Sequence, residues 1–198
     1  MHAAAVAEGM SEAEMKEKFR AIVGEEYDAF LELDLPNHIF GEDKMVGSAN
    51  YSKNRLYDDC FLAILSLNAE GADGSVYREY AERLHRRAEE GHAFRYLFDS
   101  MACLCDALAI KFDLADKTRS LYAAGDKSGL RRLAENEYTA LLSRLDAFYR
   151  AFRTQWYTVN KTYGFEIQDA RLGGLMQRVK SCRERLLAFC DGEIDGIE

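Results

Sequence analysis

Hydrophobic residues recur at spacings of three and four along most of the 198-residue chain, which predicts helices. The clearest stripe predicts a helix over about 128–158, and it is interrupted only across Ala134 to Ala140, where Tyr138 or Glu137 takes the apolar position. Similar stripes predict long helices over about 92–124 and 169–190. Three long apolar stripes predict an all-α fold, an antiparallel helical bundle of long helices.

Shorter segments complete this prediction. Ser11 and Glu14 match a capping box, so a helix is expected from Ser11 to Gly24, followed by a second over about 25–33. The only proline, Pro36, begins a loop-like composition, and further helices are predicted over about 55–67 and 75–90. The predicted organisation is therefore a short N-terminal helical hairpin over 1–35, a loop over 36–54 and the bundle over 55–198.

Charge and composition narrow the range of partners. The net charge is -8, from 26 Lys and Arg against 34 Asp and Glu, which disfavours nucleic acid and anionic membranes as partners. Apolar runs are much shorter than the roughly 20 residues of a membrane span. Five cysteines without a CxxC spacing favour free thiols in a reducing, cytoplasmic compartment over disulfides or a zinc site.

Sequence motifs for metal or cofactor chemistry are weak. Glu82-x-x-His85 and Glu89-x-x-His92 each match half of a di-iron motif, but both lie on one stretch, whereas a di-iron bundle needs them on two helices. Surface positions are the favoured interpretation. Cys103 and Cys105 are predicted to pack in the core. We expect no catalytic residue, no metal and no cofactor in this chain.

The segment from Asn160 to Gly174 differs from its surroundings, because aromatic, amide and charged residues alternate there. Such a mixture suits a polar interdomain joint or a sugar site, and the joint is the favoured interpretation. "YGFEI", residues 163–167, could form a short extended piece. Asp169 is predicted to cap the last helix, and the Gly173–Gly174 pair to let another backbone approach closely. The candidate contact residues are Trp156, Tyr157, Asn160, Lys161, Tyr163, Phe165, Glu166, Gln168, Asp169 and Arg171.

Four segments carry a resemblance to a known family. "WYTVNKTYGFEIQDARLGGL", residues 156–175, resembles a pattern near the C-terminus of bacterial family 20 glycoside hydrolases, the exo-acting β-N-acetylhexosaminidases. "SKNRLYDDCFLAIL", residues 52–65, and "LADKTRSLYAAGD", residues 114–126, resemble segments of the same region in the same order. "MSEAEMKEKFRAIVG", residues 10–24, resembles the segment just beyond the catalytic barrel of that family.

The resemblance implies that the parent enzyme cleaves terminal N-acetylhexosamines in a (β/α)₈ barrel, with an Asp-Glu pair assisting the acetamido group of the substrate. This chain contains no Asp-Glu dipeptide. The prediction is therefore a non-catalytic C-terminal helical domain of an exo-β-N-acetylhexosaminidase, inactive alone. It would pack on the catalytic barrel and support its active-site rim or a dimer interface, and a homodimer is possible.

Two alternatives remain open at this stage. The chain could be a carbohydrate-binding module that stacks sugars on Trp156, Tyr163 or Phe165. It could also be an unrelated helical interaction or dimerisation protein.

Overall fold

Long helices dominate the part of the protein that the computed structural model describes, which comprises residues 9–39, 51–64, 74–90 and 93–197. The described residues contain no strand, so the predicted all-α class is confirmed. The helices are α1 (Glu12–Val23), α2 (Tyr27–Leu31), a 3₁₀ helix (Glu32–Asn37), α3 (Tyr51–Tyr57), α4 (Val76–Glu89), α5 (Arg95–Ala123), α6 (Lys127–Leu133), a π turn (Ala134–Tyr138), α7 (Thr139–Val159) and α8 (Phe165–Asp191).

The cross-helix contacts establish the antiparallel arrangement. Asp106 of α5 contacts Arg144 of α7, whereas Thr118, further along α5, contacts Tyr138, the residue just before α7. Helices α7 and α8 are antiparallel as well. Tyr149, in the middle of α7, contacts Asp169 near the start of α8, whereas Thr139, at the start of α7, contacts Arg183 further along α8. The predicted bundle of long antiparallel helices is therefore confirmed.

The N-terminal hairpin begins as the sequence predicts. Ser11 caps α1, since the amide of Glu14 donates to its hydroxyl at 3.3 Å and its own amide donates to the Glu14 carboxylate at 2.8 Å. The helix ends at Gly24, which adopts a left-handed conformation with φ 79°. Both predicted ends of this helix are confirmed.

One link between the hairpin and the bundle is the aromatic residue Phe30. Phe30 of α2 packs edge-on against Phe19 at 5.2 Å between ring centroids, and also against Phe94 at 5.3 Å and Phe98 at 5.7 Å. Phe30 therefore links the small core around Phe19 to the main core. The division of the chain at residues 35 and 54 stays a prediction, and most of the predicted loop, residues 40–50, lies outside the described residues.

Helix α3 corrects the prediction of a helix over 55–67. It spans Tyr51–Tyr57, and residues 58–64 form turns. The buried Lys111 of α5 explains the early end, because its Nζ donates to the carbonyls of Arg55 and Asp58 at 3.2 and 2.7 Å. The carboxylate of Asp59 then accepts hydrogen bonds from the amides of Phe61 and Leu62. These bonds stabilise a non-helical turn where the helix would otherwise continue. Residues 65–67 lie outside the described part.

The π turn explains the interruption of the apolar stripe at Ala134 to Ala140. A π turn contains one more residue than the α-helical turn, so the next buried side chain after Leu133 on this stripe is Tyr138, a step of five. Of the two alternatives left by the sequence, Tyr138 rather than Glu137 is buried. Arg183 of α8 donates to the Ala134 carbonyl at 3.2 Å, so a carbonyl of the turn is bound by a side chain.

All five cysteines are free thiols. Cys105 lies in the main core and Cys103 packs against it, which confirms their predicted role. Burial raises the pKa of both thiols. None of the helices in the described segments combines the length and apolar character that a membrane span requires.

Candidate functional site

The segment singled out in the sequence forms the corner where α7 ends and α8 begins. Helix α8 starts at Phe165, four residues before the predicted start, so the predicted cap at Asp169 and the predicted extended piece at 163–167 are both wrong. Gly164 makes this early start possible, because it precedes the helix with φ 98°, a conformation that glycine adopts without strain. Its amide donates to the Glu166 carboxylate at 2.8 Å.

Phe165 lies inside the corner, not on its surface. Its side chain is 1% exposed, and its ring lies 5.3–5.9 Å from four other rings. Contrary to the prediction, this ring cannot stack on a sugar or on a neighbouring domain. It instead holds the ends of α7 and α8 together. The four surrounding rings belong to Tyr149, Phe152, Trp156 and Tyr157.

Three predicted contact residues are engaged within the chain itself. Trp156 donates its indole N–H to the Lys161 carbonyl at 3.0 Å, which closes the connection between the helices. Asp169 accepts the hydroxyl hydrogen of Tyr149 at 2.8 Å across α7 and α8, and this bond raises the pKa of Tyr149. Together with the bond from the Gly164 amide to Glu166, these contacts fix the corner locally.

The corner nevertheless presents apolar side chains to solvent. Tyr163 is 87% exposed, Val159 54%, Ile167 53% and Tyr157 43%. We call these four residues the corner surface. The polar residues Asn160 and Lys161, which are also exposed, lie in the connection between the same two helices. A cluster of exposed apolar groups beside polar ones, mounted on a rigid support, is typical of a contact surface.

A cavity of about 260 Å³ opens beside this corner. Two of the predicted contact residues, Gln168 and Arg171, line it from α8, and Phe152 lines it from α7. The 3₁₀ helix, α3 and α5 supply the other walls. We call it the corner cavity. The remaining residues that line it are Leu33, Pro36, Asn37, Ser52, Lys53, Leu56, Tyr57, Met101, Leu104, Phe148 and Leu172.

The charged groups among the described residues that line the corner cavity are cationic. Lys53 and Arg171 both line it, and they also line an adjoining cavity of about 290 Å³ together with Asn54 and Tyr57. Among the described residues that line either cavity, none is Asp or Glu. Burial raises the pKa of Tyr57, and the positive charge of Arg171 opposes this effect.

Two of the segments that resemble family 20 glycoside hydrolases line the corner cavity together. Lys53 and Tyr57 come from the segment 52–65, whereas Gln168 and Arg171 come from the segment 156–175. Sequence reasoning missed the contribution of the first segment to this site, because the spacing within each segment does not reveal which others it contacts.

The glycine pair does not serve the role predicted for it within the described part of this chain. Both Gly173 and Gly174 lie inside α8, and a Cβ atom built on either would have no atom within 4 Å outside its own helical surroundings. No backbone in the described segments approaches them closely.

The Glu-x-x-His motif that contains His85 places this histidine beside a single carboxylate of a neighbouring helix. His85 of α4 lies 3.0 Å from Asp106 of α5, and this carboxylate raises the pKa of His85. The described segments contain no group of three or more His, Cys, Asp or Glu side chains placed to hold a metal ion. His92 lies outside the described residues.

Comparison with curated proteins finds no match. The chain does match the family of the glycoside hydrolase 20C C-terminal domain over residues 28–198, which include the corner surface and the described walls of the corner cavity. Because the match covers most of the chain, this protein belongs to the glycoside hydrolase 20C C-terminal domain family.

Proposed function

We propose that this chain is the non-catalytic C-terminal domain of an exo-β-N-acetylhexosaminidase, which docks on the catalytic domain of the parent enzyme through the corner surface. Docked there, the domain supports the rim of the active site or the subunit interface. The observation that carries the proposal is the exposure of Tyr163 and Ile167, 87% and 53%, on a corner fixed from inside by the buried Phe165.

The family supports the existence of a partner. A C-terminal domain of a glycoside hydrolase implies a catalytic domain in the parent chain. The corner suits such a neighbour because its apolar groups are flanked by exposed polar residues, as in contacts between domains. Its internal hydrogen bonds hold the backbone of the connection, so docking would cost little backbone entropy.

A sugar-binding module is less well supported. Of the three rings predicted as stacking platforms, Phe165 is buried and Trp156 is half-buried with its indole N–H bonded to Lys161. Tyr163 alone of these three presents most of its ring to solvent. The alternative of an unrelated helical interaction protein is wrong, because the chain belongs to a glycoside hydrolase family.

Hydrolysis of a chromogenic β-N-acetylglucosaminide tests the non-catalytic role. We expect the purified 198-residue chain to release no chromophore and the parent enzyme to release it. The proposal would be overturned if the chain alone released the chromophore and substitutions within the chain abolished this release.

A variant of the parent enzyme tests the docking surface. Tyr163→Ser combined with Ile167→Ser should lower kcat/KM and separate the thermal unfolding of this domain from that of the catalytic domain. The matched control is Tyr122→Ser, because Tyr122 is also exposed but packs against Phe189, near the other end of α8. Equal effects of the two variants would contradict docking through the corner.

A further inference from the structure

We propose that the corner cavity receives one apolar side chain of the parent's catalytic domain, and that a carboxylate next to this side chain pairs with Arg171. This inference rests on the proposed function, because it names the chemistry of the partner at the same corner. Four features of the cavity carry it: its size, its walls, its charge and its position.

The size of the cavity favours a single side chain over a larger ligand. Its volume is about 260 Å³, whereas pockets for small molecules typically measure roughly 300–1,000 Å³. A pocket that encloses one apolar or aromatic anchor at the centre of a contact is the usual form of an interface hot spot.

The walls of the cavity are apolar where an anchor would lie. Leu56, Leu104 and Leu172 come from three different helices and line it together with Phe148 and Phe152. Burial of a leucine-sized side chain against such walls is favourable, whereas burial of sugar hydroxyls would require a polar partner for each.

The mouth of the cavity selects a negative group. Arg171 is exposed where it lines this cavity, and the described lining contains no carboxylate that could pair with it, in a chain whose net charge is -8. An exposed guanidinium at the cavity attracts an acidic group and disfavours a basic one. Arg171 can also bind a carboxylate with two hydrogen bonds, which fixes its orientation.

The position of the cavity links it to the corner surface. Ile167 and Arg171 are four residues apart on α8, so they lie on the same face of the helix. A partner that covers Ile167 therefore reaches the mouth of the cavity. The aromatic cluster lies directly behind the cavity, since Phe152 lines it and Trp156 lies 6.3 Å from the Phe152 ring.

This arrangement provides a readout in the isolated chain, because Trp156 is its only tryptophan. The indole N–H resonance can be followed by NMR while blocked dipeptides are added. We expect N-acetyl-Leu-Asp-amide to shift this resonance saturably and to bind roughly three- to fivefold more tightly than N-acetyl-Leu-Lys-amide, as for a partly exposed charge pair. N-acetyl-Gly-Asp-amide, which lacks the anchor, should bind more weakly than the Leu-Asp peptide.

Charge reversal identifies the residue responsible. Arg171→Glu should remove or invert the preference for the acidic peptide, whereas Lys180→Glu, at another exposed position on α8, should leave it unchanged. Absence of a saturable shift with the Leu-Asp peptide at high millimolar concentration would overturn the inference. Equal binding of the acidic and basic peptides would also overturn it.

The parent enzyme separates failure of this inference from failure of the proposed function. We expect Arg171→Glu, and Gln168→Phe at the mouth of the cavity, to uncouple thermal unfolding of the two domains, as the corner-surface variant does. If the corner-surface variant uncouples them and these two do not, docking stands and the anchor is wrong. If none of the three uncouples them, both proposals fail.

Discussion

Asp59 and Arg178, which are 119 residues apart in the chain, form an ion pair with two contacts: 2.6 Å from Nε to Oδ2 and 3.2 Å from Nη2 to Oδ1. The guanidinium of Arg178 also lies 5.3 Å from the centre of the Phe61 ring. These contacts attach the turn that follows α3 to the middle of α8. They therefore connect the two segments whose residues line the corner cavity.

Loss of this ion pair should destabilise the chain. Arg178→Met leaves the Asp59 carboxylate half-buried without its charged partner, so we expect the free energy of unfolding to fall by about 1.5–3 kcal/mol. Urea unfolding measures this change. Lys180→Met, at an exposed position on the same helix, is the control and should change the free energy by less than about 0.5 kcal/mol. Equal stability of the two variants would contradict a structural role for the pair.

The same pair predicts a dependence of stability on pH. Burial by itself raises the pKa of Asp59, but the bonds from Arg178, Leu62 and Phe61 outweigh it and lower the pKa from 3.8 to about 2. A lowered folded-state pKa stabilises the folded protein above the unfolded pKa, and this contribution is lost as the pH falls from about 4 to about 2. Because the carboxylate is partly exposed, we expect the loss to be about 1 kcal/mol.

Denaturant titrations at several pH values can isolate this contribution. Asp59→Asn cannot titrate at this position, so its free energy of unfolding should decline less steeply than that of the wild-type chain between about pH 4 and pH 2. Parallel curves for the two proteins would show that Asp59 does not titrate with a lowered pKa.

The long helices could be predicted because their packing depends on one repeated property, an apolar stripe. The stripe of α5 includes Met101, Leu104, Leu108 and Phe112, and all four lie in or against the main core. Even the π turn was detectable as a disturbance of the spacing near Tyr138, although the spacing alone does not identify its cause.

The end of α3 and the cavity could not be predicted, because they depend on partners that are distant in the sequence. Helix α3 ends where Lys111 binds the carbonyls of Arg55 and Asp58, and Lys111 is more than 50 residues away. Its burial in the middle of α5 contradicts the expectation for a lysine. In the same way, the aromatic residues of the corner were recognised as a group, but the buried position of Phe165 required the arrangement of α7 against α8.

Substitution of Phe165 and of Tyr163 should affect the stability of the isolated chain very differently. Phe165→Ala removes a buried ring and should lower the free energy of unfolding of the isolated chain by about 3–5 kcal/mol. Tyr163→Ala removes an exposed ring, so we expect a change below about 0.5 kcal/mol in the isolated chain. Thermal or urea unfolding of both variants measures the contrast, and a large loss in Tyr163→Ala would show that its ring packs within the chain.

The glycines of the corner should respond in opposite directions to substitution by alanine. Gly164 has φ 98°, and an added Cβ would lie 3.3 Å from Cζ2 of Trp156, so Gly164→Ala should cost about 1–2 kcal/mol. Gly173 and Gly174 lie within α8 with space around them, so alanine at either should stabilise the isolated chain by about 0.5–1 kcal/mol. Urea unfolding measures all three changes.

The parent enzyme then tests whether the space around the glycine pair is used. If a backbone segment of the catalytic domain packs against Gly173 and Gly174, the alanine variants that stabilise the isolated chain should uncouple the two domains in the parent, because the added Cβ atoms would hold that segment away. Calorimetry of the parent carrying Gly173→Ala and Gly174→Ala measures the coupling. A single transition at a higher temperature would show that no segment of the catalytic domain approaches the pair.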